Sequence, residues 1–323
     1  MNEIICPNCY RLNRQGARFC AVCGRVLTVP LPDDDESPTR PSGRAVDNIE
    51  QSDDLDANTM PVSHNLDFHV GRHTDVGRRR EINEDSLLVL DLFWANRSLG
   101  HPAGLFVVAD GMGGHKDGEI ASGMLVRSLA RQAVDEWLPD IINAPDEPAV
   151  GSDWLVAAIQ RGNTEIFERS RQAGFEMGTT VVAALVVGDQ AYIAHVGDSR
   201  VYRVNARGIE RLTADHSLVE SLVSAHQISP EEARHHPQSN VIYRTIGDHP
   251  QVVVDLKALR LLPGDRLLLC SDGLSGMLTD GMIRDEIMGA ATPQSACMSL
   301  VDAANEAGGE DNCSVILIEL KSA

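Results

Sequence analysis

The sequence predicts an α+β fold in which antiparallel strands are covered by helices, and three observations support this class. Short apolar runs typical of buried strands recur along the chain. Gly-Asp pairs at 188–189 and 197–198 separate neighbouring runs, and such pairs are signals for tight hairpins and so for antiparallel pairing. Stretches of helical periodicity are grouped between the strand runs, which disfavours a regular βαβ repeat.

The predicted elements follow one another along the chain. Predicted strands are rich in Val, Ile, Leu and Tyr and cover 105–109, 179–187, 190–196, 200–204, 267–270 and 314–318. Helical spacing of apolar residues predicts helices over 119–138, 153–171 and about 217–234. We expect Pro139 to end the first helix, and Ser229 followed by Pro230 to start a helical turn within the third. The pair His235 and His236, before Pro237, should end that turn.

Charge and composition divide the chain into three parts. Residues 1–27 carry a net charge of +3, whereas residues 28–60 hold nine acids and two arginines among four prolines. The second stretch buries too little apolar surface to offset its chain entropy, so we expect a disordered linker. The predicted organisation is a small module at 1–27, an acidic linker at 28–66 and one large domain at 67–323.

The overall charge and the apolar runs exclude several functions. The 323 residues include 47 acids against 28 lysines and arginines, a formal net charge of −19. This balance argues against binding to nucleic acid or to an anionic membrane, since both need a cationic surface. No apolar run approaches the ~20 residues of a membrane span, and the first residues show no signal-peptide pattern. Seven cysteines are too few for a disulfide scaffold of this size, so we expect a reduced, cytoplasmic protein.

The first 27 residues predict a zinc site. Cys6 and Cys9 form one CxxC pair, and Cys20 and Cys23 form a second pair ten residues later. Four thiolates spaced in this way suit a tetrahedral Zn²⁺ ion, whereas a redox CxxC would occur once and in a βαβ setting. The segment resembles the short zinc ribbons at the ends of many bacterial proteins. The cysteines without paired spacing are expected to be small buried apolar residues: Cys270, Cys297 and Cys313.

Aspartates recur where predicted buried strands meet loops. Asp110, Asp272 and Asp311 each lie beside one of these apolar runs. Three converging carboxylates would repel one another strongly unless a cation lies among them. Oxygen ligands select hard ions such as Mg²⁺ or Mn²⁺, and Gly111 would let its carbonyl approach an ion with no Cβ in the way. Each motif alone is weak evidence, because an Asp-Gly pair is usually a turn.

Seven short motifs stand in order along residues 68–320. They are Asp75-x-Gly77-x-x-Arg80-x-x-Asn83-Glu84-Asp85, Asp110-Gly111-Met112-Gly113-Gly114, Gly178-Thr179-Thr180, Gly197-Asp198-Ser199-Arg200, Thr213-x-Asp215-His216, Ser271-Asp272-Gly273 and Asp311-Asn312. Together they resemble the metal-dependent protein phosphatases of type 2C, especially the bacterial members. The fold that this resemblance implies is a sandwich of two antiparallel sheets flanked by helices. The implied reaction is hydrolysis of phosphoserine and phosphothreonine by direct attack of a metal-bridging hydroxide.

The resemblance also implies roles for individual residues. Asp110 is the expected bridging ligand of two Mn²⁺ or Mg²⁺ ions. The other expected ion-binding residues are Asp272 and Asp311 at the first ion, the Gly111 carbonyl at the second, the water-ordering pair Glu84 and Asp85, and Asp198 at a third, weaker site. Arg80 is expected to hold the substrate phosphate, because its planar fork suits two phosphate oxygens at once.

The position of the general acid departs from the pattern of the animal members. Animal members of the family carry a histidine directly after the Asp-Gly pair, whereas this chain has Met112, whose thioether cannot donate a proton. His115 lies three residues on, but a histidine facing solvent or a carboxylate is the simpler interpretation, so we expect a metal-bound water to act as the acid. Residues 221–240 fall where the family has a mobile flap near the site. Two adjacent histidines there, at 235 and 236, are expected to be solvated.

Two other functions stay open at this point. A type 2C domain without catalysis could serve as a phosphoprotein-binding scaffold, but such a domain would lack a metal carboxylate and none is missing. The cysteine-rich module could bind nucleic acid through its arginines, which the net charge opposes. The leading prediction is a Mn²⁺- or Mg²⁺-dependent serine/threonine phosphatase with an N-terminal zinc ribbon. Its expected partners are phosphorylated proteins, the substrates of a serine/threonine kinase, and no membrane.

Overall fold

The computed structural model describes residues 3–5, 12–14, 66–96, 99–113, 117–143, 151–174 and 176–322. The chain divides into two compact units, Met1–Thr59 and Met60–Ala323. In the first unit, the strands Glu3–Ile5 (β1) and Leu12–Arg14 (β2) pair antiparallel. The candidate zinc ligands Cys6, Cys9, Cys20 and Cys23, His115, and the acidic linker up to residue 65 lie outside the described residues.

The second unit contains all the remaining elements. Its strands are Leu66–Asp75 (β3), Asp85–Asn96 (β4), Leu99–Gly113 (β5), Met177–Thr179 (β6), Val181–Val187 (β7), Gln190–Val196 (β8), Arg200–Asn205 (β9), Gly208–Arg211 (β10), Asp255–Arg260 (β11), Arg266–Cys270 (β12) and Cys313–Ser322 (β13). Its helices are Gly118–Gln132 (α1), Leu138–Asn143 (α2), Ser152–Ala173 (α3), Leu218–Ser224 (α4), Pro230–Arg234 (α5), Asp272–Ser275 (α6), Asp280–Gly289 (α7) and Pro293–Glu306 (α8), and a π turn at Ala133–Trp137 joins α1 to α2. None of the described helices is both long and apolar enough to cross a membrane.

Two antiparallel sheets pack against each other with helices on their outer faces. One sheet has the strand order β10-β9-β12-β13-β3, and the other has the order β11-β8-β7-β5-β4, with β6 paired to β5. The rings of Phe68 and Phe106, one from each sheet, meet edge to face with centroids 6.2 Å apart. The hairpin predicted at 188–189 joins β7 to β8, where Val187 pairs with Gln190. The α+β class and the flanked sandwich are therefore confirmed.

Alternating side chains on the central strands explain the continuous apolar runs. In β5, Leu105 belongs to the core shared with α1 and α3, whereas its neighbour Phe106 belongs to the core between the sheets. In β12, Leu269 faces the other sheet and Leu268 packs with α7 and α8. Strands that are buried on both faces need no polar residue, so their sequences lose the usual alternation.

The three cysteines of the second unit are free and buried, as predicted. Cys270, Cys297 and Cys313 all belong to the core between the five-stranded sheet and the helices α6 to α8. Burial raises the pKa of each thiol. Because the thiolate is the nucleophilic form, these cysteines are structural residues.

The second Gly-Asp pair is not a hairpin turn, and that prediction was wrong. Gly197 and Asp198 connect β8 in one sheet to β9 in the other. Gly197 has a φ of 108°, and a Cβ there would lie 2.7 Å from the side chain of Thr180. A tight crossing between layers needs the same positive φ as a hairpin, so the dipeptide by itself does not distinguish the two.

The helix predicted at 119–138 does not end at Pro139. It widens into the π turn and continues as α2, and the Leu138 N–H donates to the Ala133 carbonyl five residues earlier. A proline ring clashes with the carbonyl four residues earlier in a regular helix, and the wider turn relieves that clash. Val134, the second residue of this π turn, is 54% exposed, whereas Ala133 and Trp137 in the same turn are buried.

The helix predicted at 217–234 is two short helices, α4 and α5. Ser229 accepts a hydrogen bond from the Glu232 N–H, and the Glu232 side chain accepts from the Ser229 N–H, which makes a complete capping box. A second helix start inside one periodic stretch therefore divides it. His235 caps the end of α5, as predicted.

The strand ends that carry the candidate carboxylates lie at one end of the sandwich. Asp85, at the start of β4, is directly opposite Asp110 near the end of β5. In the other sheet, Asp75 at the end of β3 pairs with Cys313 at the start of β13. Cys270, which ends β12, lies opposite the beginnings of both β9 and β13. Residues that are far apart in sequence therefore meet at this edge.

Candidate active site

Five aspartates converge at this end of the sandwich. Burial, the largest cause in each case, raises the pKa values of three of them: to about 7 for Asp85, about 8 for Asp198 and about 6 for Asp272. Burial also raises the pKa of Asp110 well above its ordinary value, and repulsion from the other four carboxylates, with Asp311 the weakest, adds to the effect. The nearby Asp110 carboxyl and the positive charges of Arg80 and Arg200 lower the pKa of Asp272, but they do not outweigh burial and repulsion from Asp311. The cluster therefore carries more negative charge than the surrounding protein offsets.

Several of these carboxylate oxygens have no protein partner. Oδ1 is enclosed without a hydrogen bond in Asp85, Asp198 and Asp272, within the described part of the chain. A buried acceptor without a donor is unfavourable, and several of them around one space call for a cation. Carboxylate and carbonyl oxygens favour hard ions, so these residues fit Mn²⁺ or Mg²⁺.

Arg80 lies at the exposed rim of the cluster. Its Nη2 donates to Asp311 Oδ2 at 2.6 Å, and its Nη1 lies 3.9 Å from Glu84 Oε2. The Arg80 side chain is 48% exposed, so further N–H groups remain for a ligand that arrives from solvent. The structure brings Asp311 to this arginine, and Asp311 is the only one of the five aspartates that is paired with it.

Side chains next to the predicted ligands hold the loop before β4. The Glu84 N–H donates to Asn312 Oδ1 at 2.8 Å, and Asn312 Nδ2 donates to two carbonyls of the preceding loop at 2.9 and 3.0 Å. Ser271 Oγ donates to Asp85 Oδ2 at 2.8 Å. Both supporting residues belong to motifs that the sequence identified, without a role for either of them.

Gly111 is held by a close contact with the start of α1. Its N–H donates to the Glu84 carbonyl at 3.2 Å, and a Cβ at Gly111 would lie 2.2 Å from the Gly118 carbonyl oxygen. A Cβ at Gly118 would in turn lie 2.7 Å from Glu84 Oε1 and 2.8 Å from the Gly111 carbonyl. The approach of an ion was the expected reason for a glycine at 111, and the contact with the helix start also requires a glycine there.

Two residues at this helix start were not among the residues predicted from the sequence. Gly118 makes the contact just described, and Glu119 follows it in the first turn of α1. Burial raises the pKa of Glu84, and repulsion from Glu119 adds to this shift. Glu119 Oε2 is enclosed without a partner among the described residues. The sequence signal that could have identified these two residues was a glycine followed directly by an acid at the start of a predicted helix.

Asp198 keeps an unpartnered oxygen because the nearby arginine is bound elsewhere. Arg200 Nε donates to both carboxylate oxygens of Asp215 at 3.0 and 3.1 Å, and its Nη2 donates to the same group at 2.7 Å. Arg200 Nη1 donates to the Tyr202 hydroxyl at 3.1 Å. Arg200 therefore binds Asp215 and Tyr202, and none of its N–H groups is hydrogen-bonded to Asp198, whose Oδ1 stays without a partner among the described residues.

A second group of possible metal ligands lies next to the Gly197–Asp198 connection between β8 and β9. Within the described part of the chain, one set of three His, Cys, Asp or Glu side chains has ligand atoms that all lie within 4.8 Å of one another. The set consists of His195, His216 and Asp255. Arg244 Nη1 lies 2.9 Å from His216 Nε2 and donates to Asp255 Oδ1 at 2.6 Å. An arginine already supplies the positive charge here, so we interpret the group as structural. The two histidines at the end of α5 belong to neither group.

A cleft of about 590 Å³ lies between the carboxylates and the segment that carries α4 and α5. Asp198 and Asp272 line the cleft on one side, and Arg234 lines it on the other. Arg234 Nη2 donates to the carbonyls of Gly276 and Leu278, at 3.2 and 3.1 Å. The segment that the resemblance identified as a flap is therefore bound beside the site.

Known proteins resemble this chain in sequence and in fold. The sequence profile of the family described as protein phosphatase 2C matches residues 78–302. The chain is 37% identical over 248 residues to protein phosphatase PhpP of Streptococcus pneumoniae, covering 76% of this chain and 95% of that protein. It is 38% identical over 254 residues to serine/threonine phosphatase stp of Listeria monocytogenes, covering 78% and 96%. The catalytic domain of the serine threonine protein phosphatase PstP, solved in complex with two manganese ions, is 31% identical, with a TM-score of 0.66 over 79% of this chain and 99% of that one.

Replacing Gly118 with alanine should weaken Mn²⁺ binding. The added Cβ would push the Glu84 carboxylate and the Gly111 carbonyl away from their positions, and we expect a loss of about tenfold or more in affinity by isothermal titration calorimetry. Gly123→Ala in the same helix is the matched control, because its Cβ meets only the movable end of Arg127, at 3.0 Å. That control should raise the thermal midpoint and leave Mn²⁺ affinity unchanged. Equal affinities in the two variants would contradict the proposed contact.

Proposed function

Because the chain belongs to the protein phosphatase 2C family, we propose that it removes phosphate from phosphoserine and phosphothreonine of other proteins at the carboxylate cluster. It is a metal-dependent serine/threonine protein phosphatase, with Mn²⁺ or Mg²⁺ as its cofactor. The observation that carries the assignment of the site is the set of enclosed, unpartnered oxygens on Asp85, Asp198 and Asp272. An idle phosphoprotein-binding scaffold would not need to keep every one of these carboxylates.

We assign the ions to the residues that the motifs indicated. Asp110 would be shared between two ions, with Asp272 and Asp311 at the first and the Gly111 carbonyl at the second. Glu84 and Asp85 would orient water at these ions, and Asp198 would hold a third. When bound, divalent ions lower the pKa of water so that it attacks phosphorus at neutral pH, and they offset charge on the phosphoryl oxygens.

Arg80 and water in the cleft would take part in the remaining steps. Arg80 stands at the solvent side of the cluster and would bind two oxygens of the incoming phosphate. As the oxygen of a water molecule bonds to phosphorus, the bond from phosphorus to the serine or threonine oxygen breaks, and that oxygen takes up a proton. Met112 cannot donate the proton because a thioether has none, so we assign it to water in the cleft. The products are inorganic phosphate and the free hydroxyl group.

The partners follow from this reaction. Phosphoserine and phosphothreonine arise from serine/threonine kinases, so we propose that the substrates are proteins modified by a kinase of this class. The negative net charge does not oppose such substrates, because bound cations and Arg80 set the local charge.

Removal of the ions should abolish hydrolysis of p-nitrophenyl phosphate. We expect EDTA to stop the reaction and added Mn²⁺ to restore it. Loss of a hydrogen bond to a metal ligand typically lowers activity by roughly 10- to 100-fold. Asp110→Asn and Asp272→Asn should each lower the rate by more than this, because they change the ligand itself. Asp302→Asn, on the exposed face of α8, is the matched control and should keep full activity. Full turnover in EDTA would overturn the assigned role of the carboxylates.

Arg80→Ala should raise the KM for a phosphopeptide with a smaller effect on kcat. Loss of a charged hydrogen bond costs about 2 kcal/mol, which corresponds to roughly a 30-fold change. Arg80→Lys should recover only part of this, since an ammonium group cannot make a bidentate contact. Arg207→Ala is the matched control, because Arg207 is exposed in the turn after β9, at the end of that strand remote from the carboxylates. Steady-state kinetics that are unchanged in Arg80→Ala would remove this arginine from the site.

We also propose that residues 1–27 form a zinc ribbon and that residues 28–66 link it to a phosphatase domain at 67–323. The spacing of the two CxxC pairs supports the ribbon. Thiolate ligands need a reducing compartment, so we propose a cytoplasmic location together with the zinc site. The two metal sites use opposite chemistry, because soft thiolates select zinc whereas carboxylates select harder ions.

Replacing the four ribbon cysteines with serine should release one zinc ion per chain and leave the small-substrate reaction unchanged. The cysteines are Cys6, Cys9, Cys20 and Cys23. Zinc content by atomic emission and turnover of p-nitrophenyl phosphate are the two measurements. The Cys297→Ser variant is the matched control and should retain the zinc ion, because this cysteine is in the core of the second unit. A wild-type protein purified without zinc, or a variant that retains it, would contradict the ribbon.

A further inference from the structure

One buried hydroxyl joins the backbone of Asp110 to the loop that carries Asp198. Thr180 Oγ1 accepts a hydrogen bond from the Asp110 N–H at 3.1 Å and is hydrogen-bonded to Ser199 Oγ at 2.7 Å. Thr180 is fully buried and Ser199 is 1% exposed, so neither hydroxyl can replace its partner with bulk water. Because Thr180 precedes β7 and Ser199 precedes β9, the bond crosses from one sheet to the other.

The Thr180 hydroxyl stands where a strand carbonyl would normally accept. The register of β5 with β6 and β7 puts Asp110 opposite Thr180. The Thr180 N–H donates to the Asp110 carbonyl at 2.8 Å, as in a regular ladder. The return bond is different, because the Thr180 carbonyl accepts from Thr179 Oγ1 and the side chain takes its place for the Asp110 N–H. Without the hydroxyl, that buried N–H would lose its partner.

The other end of this link is equally constrained. A Cβ on Gly197 would lie 2.7 Å from both Cβ and Cγ2 of Thr180, so the loop rests on the threonine methyl group. His216 holds Gly197 with two hydrogen bonds, from its own N–H to the Gly197 carbonyl at 2.9 Å and from the Gly197 N–H to its Nδ1 at 3.0 Å. Asp198 therefore lies between two residues, Gly197 and Ser199, that both contact Thr180.

We propose that Thr180 is a positioning residue that couples Asp110 to Asp198, so that the ion sites on the two aspartates depend on one hydroxyl. The proposal rests on the ion-binding role proposed above for these aspartates. Hydrogen bonds that support metal ligands typically contribute about 10- to 100-fold to metal affinity. The coupling needs no movement of the sheets, because both ends of the link are fixed by packing.

The test is Mn²⁺ binding to the full-length, metal-free protein by isothermal titration calorimetry, with free Mn²⁺ counted by electron paramagnetic resonance. Thr180→Val keeps the shape of the side chain and removes the hydroxyl, and we expect it to weaken Mn²⁺ binding by about 10- to 100-fold. Thr180→Ser keeps the hydroxyl and should bind Mn²⁺ close to the wild-type level. A serine variant as weak as the valine variant would overturn the role of the hydroxyl.

Thr213→Val is the matched control for a purely structural effect. Thr213 Oγ1 accepts from the Val201 N–H at 3.1 Å and the residue is 4% exposed, so the variant loses the same kind of buried hydrogen bond without touching Asp110 or Asp198. Thermal unfolding of the metal-free variants should show comparable losses of stability for both valine variants. Only Thr180→Val should lose Mn²⁺ affinity, and equal affinities in the two valine variants would overturn the proposal.

Ser199→Ala carries the test if Thr180→Val does not fold. It leaves the Asp110 N–H paired and removes only the link to the Asp198 loop. We expect it to weaken the last-bound Mn²⁺ ion and to leave the tighter sites at the wild-type affinity, and an unchanged isotherm would overturn the coupling. Wild-type protein that binds no Mn²⁺ would instead contradict the proposed function, so the two failures are distinguishable.

Discussion

Repulsion among carboxylates that are held together at one end of a β-sandwich is the constraint on which the rest of the site depends. Burial and mutual repulsion both raise the pKa of Asp110, and three neighbouring carboxylates each keep an enclosed oxygen without a partner. Like charges at such short range cost far more inside a protein than in water. Positive charge offsets that cost: Arg80 supplies part of it at the rim, and the divalent ions that we assign to these residues would supply the rest.

The sandwich can carry this unfavourable charge because its strands are rigid. The central strands of both sheets are buried on both faces. The candidate ligands are contributed by different layers: Asp85 and Asp110 by one sheet, and Asp272 and Asp311 by the start of α6 and the loop before β13. Close packing of the core between the sheets prevents these groups from moving apart. The site therefore exists only where the two sheets are packed together, and its chemistry depends on the stability of the whole domain.

Small and hydroxyl-bearing residues occupy the positions where the regular ladder gives way to the site. Gly111 and Gly118 allow a helix start to contact a strand end without a Cβ between them. The Thr180 hydroxyl takes the place of a backbone acceptor for the Asp110 N–H, and the Ser271 hydroxyl donates to the Asp85 carboxylate. Each of them satisfies a polar group that would otherwise be buried without a partner, which lets the strands end abruptly at a charged space.

The sequence by itself determined the features that depend on neighbouring residues: the buried strands, the capping box at Ser229, the hairpin at 188–189 and the order of seven motifs that identified the family and the candidate ligands. Only the tertiary structure decided that the Gly197 crossing joins two sheets and that a π turn carries the helix past Pro139. It also decided that Arg80 meets Asp311, 231 positions away, and that Thr180 bonds to Asp110, 70 positions away. The physical reason is that periodicity and turn signals are local, whereas these contacts are set by which layers pack together, and one dipeptide is compatible with several such packings.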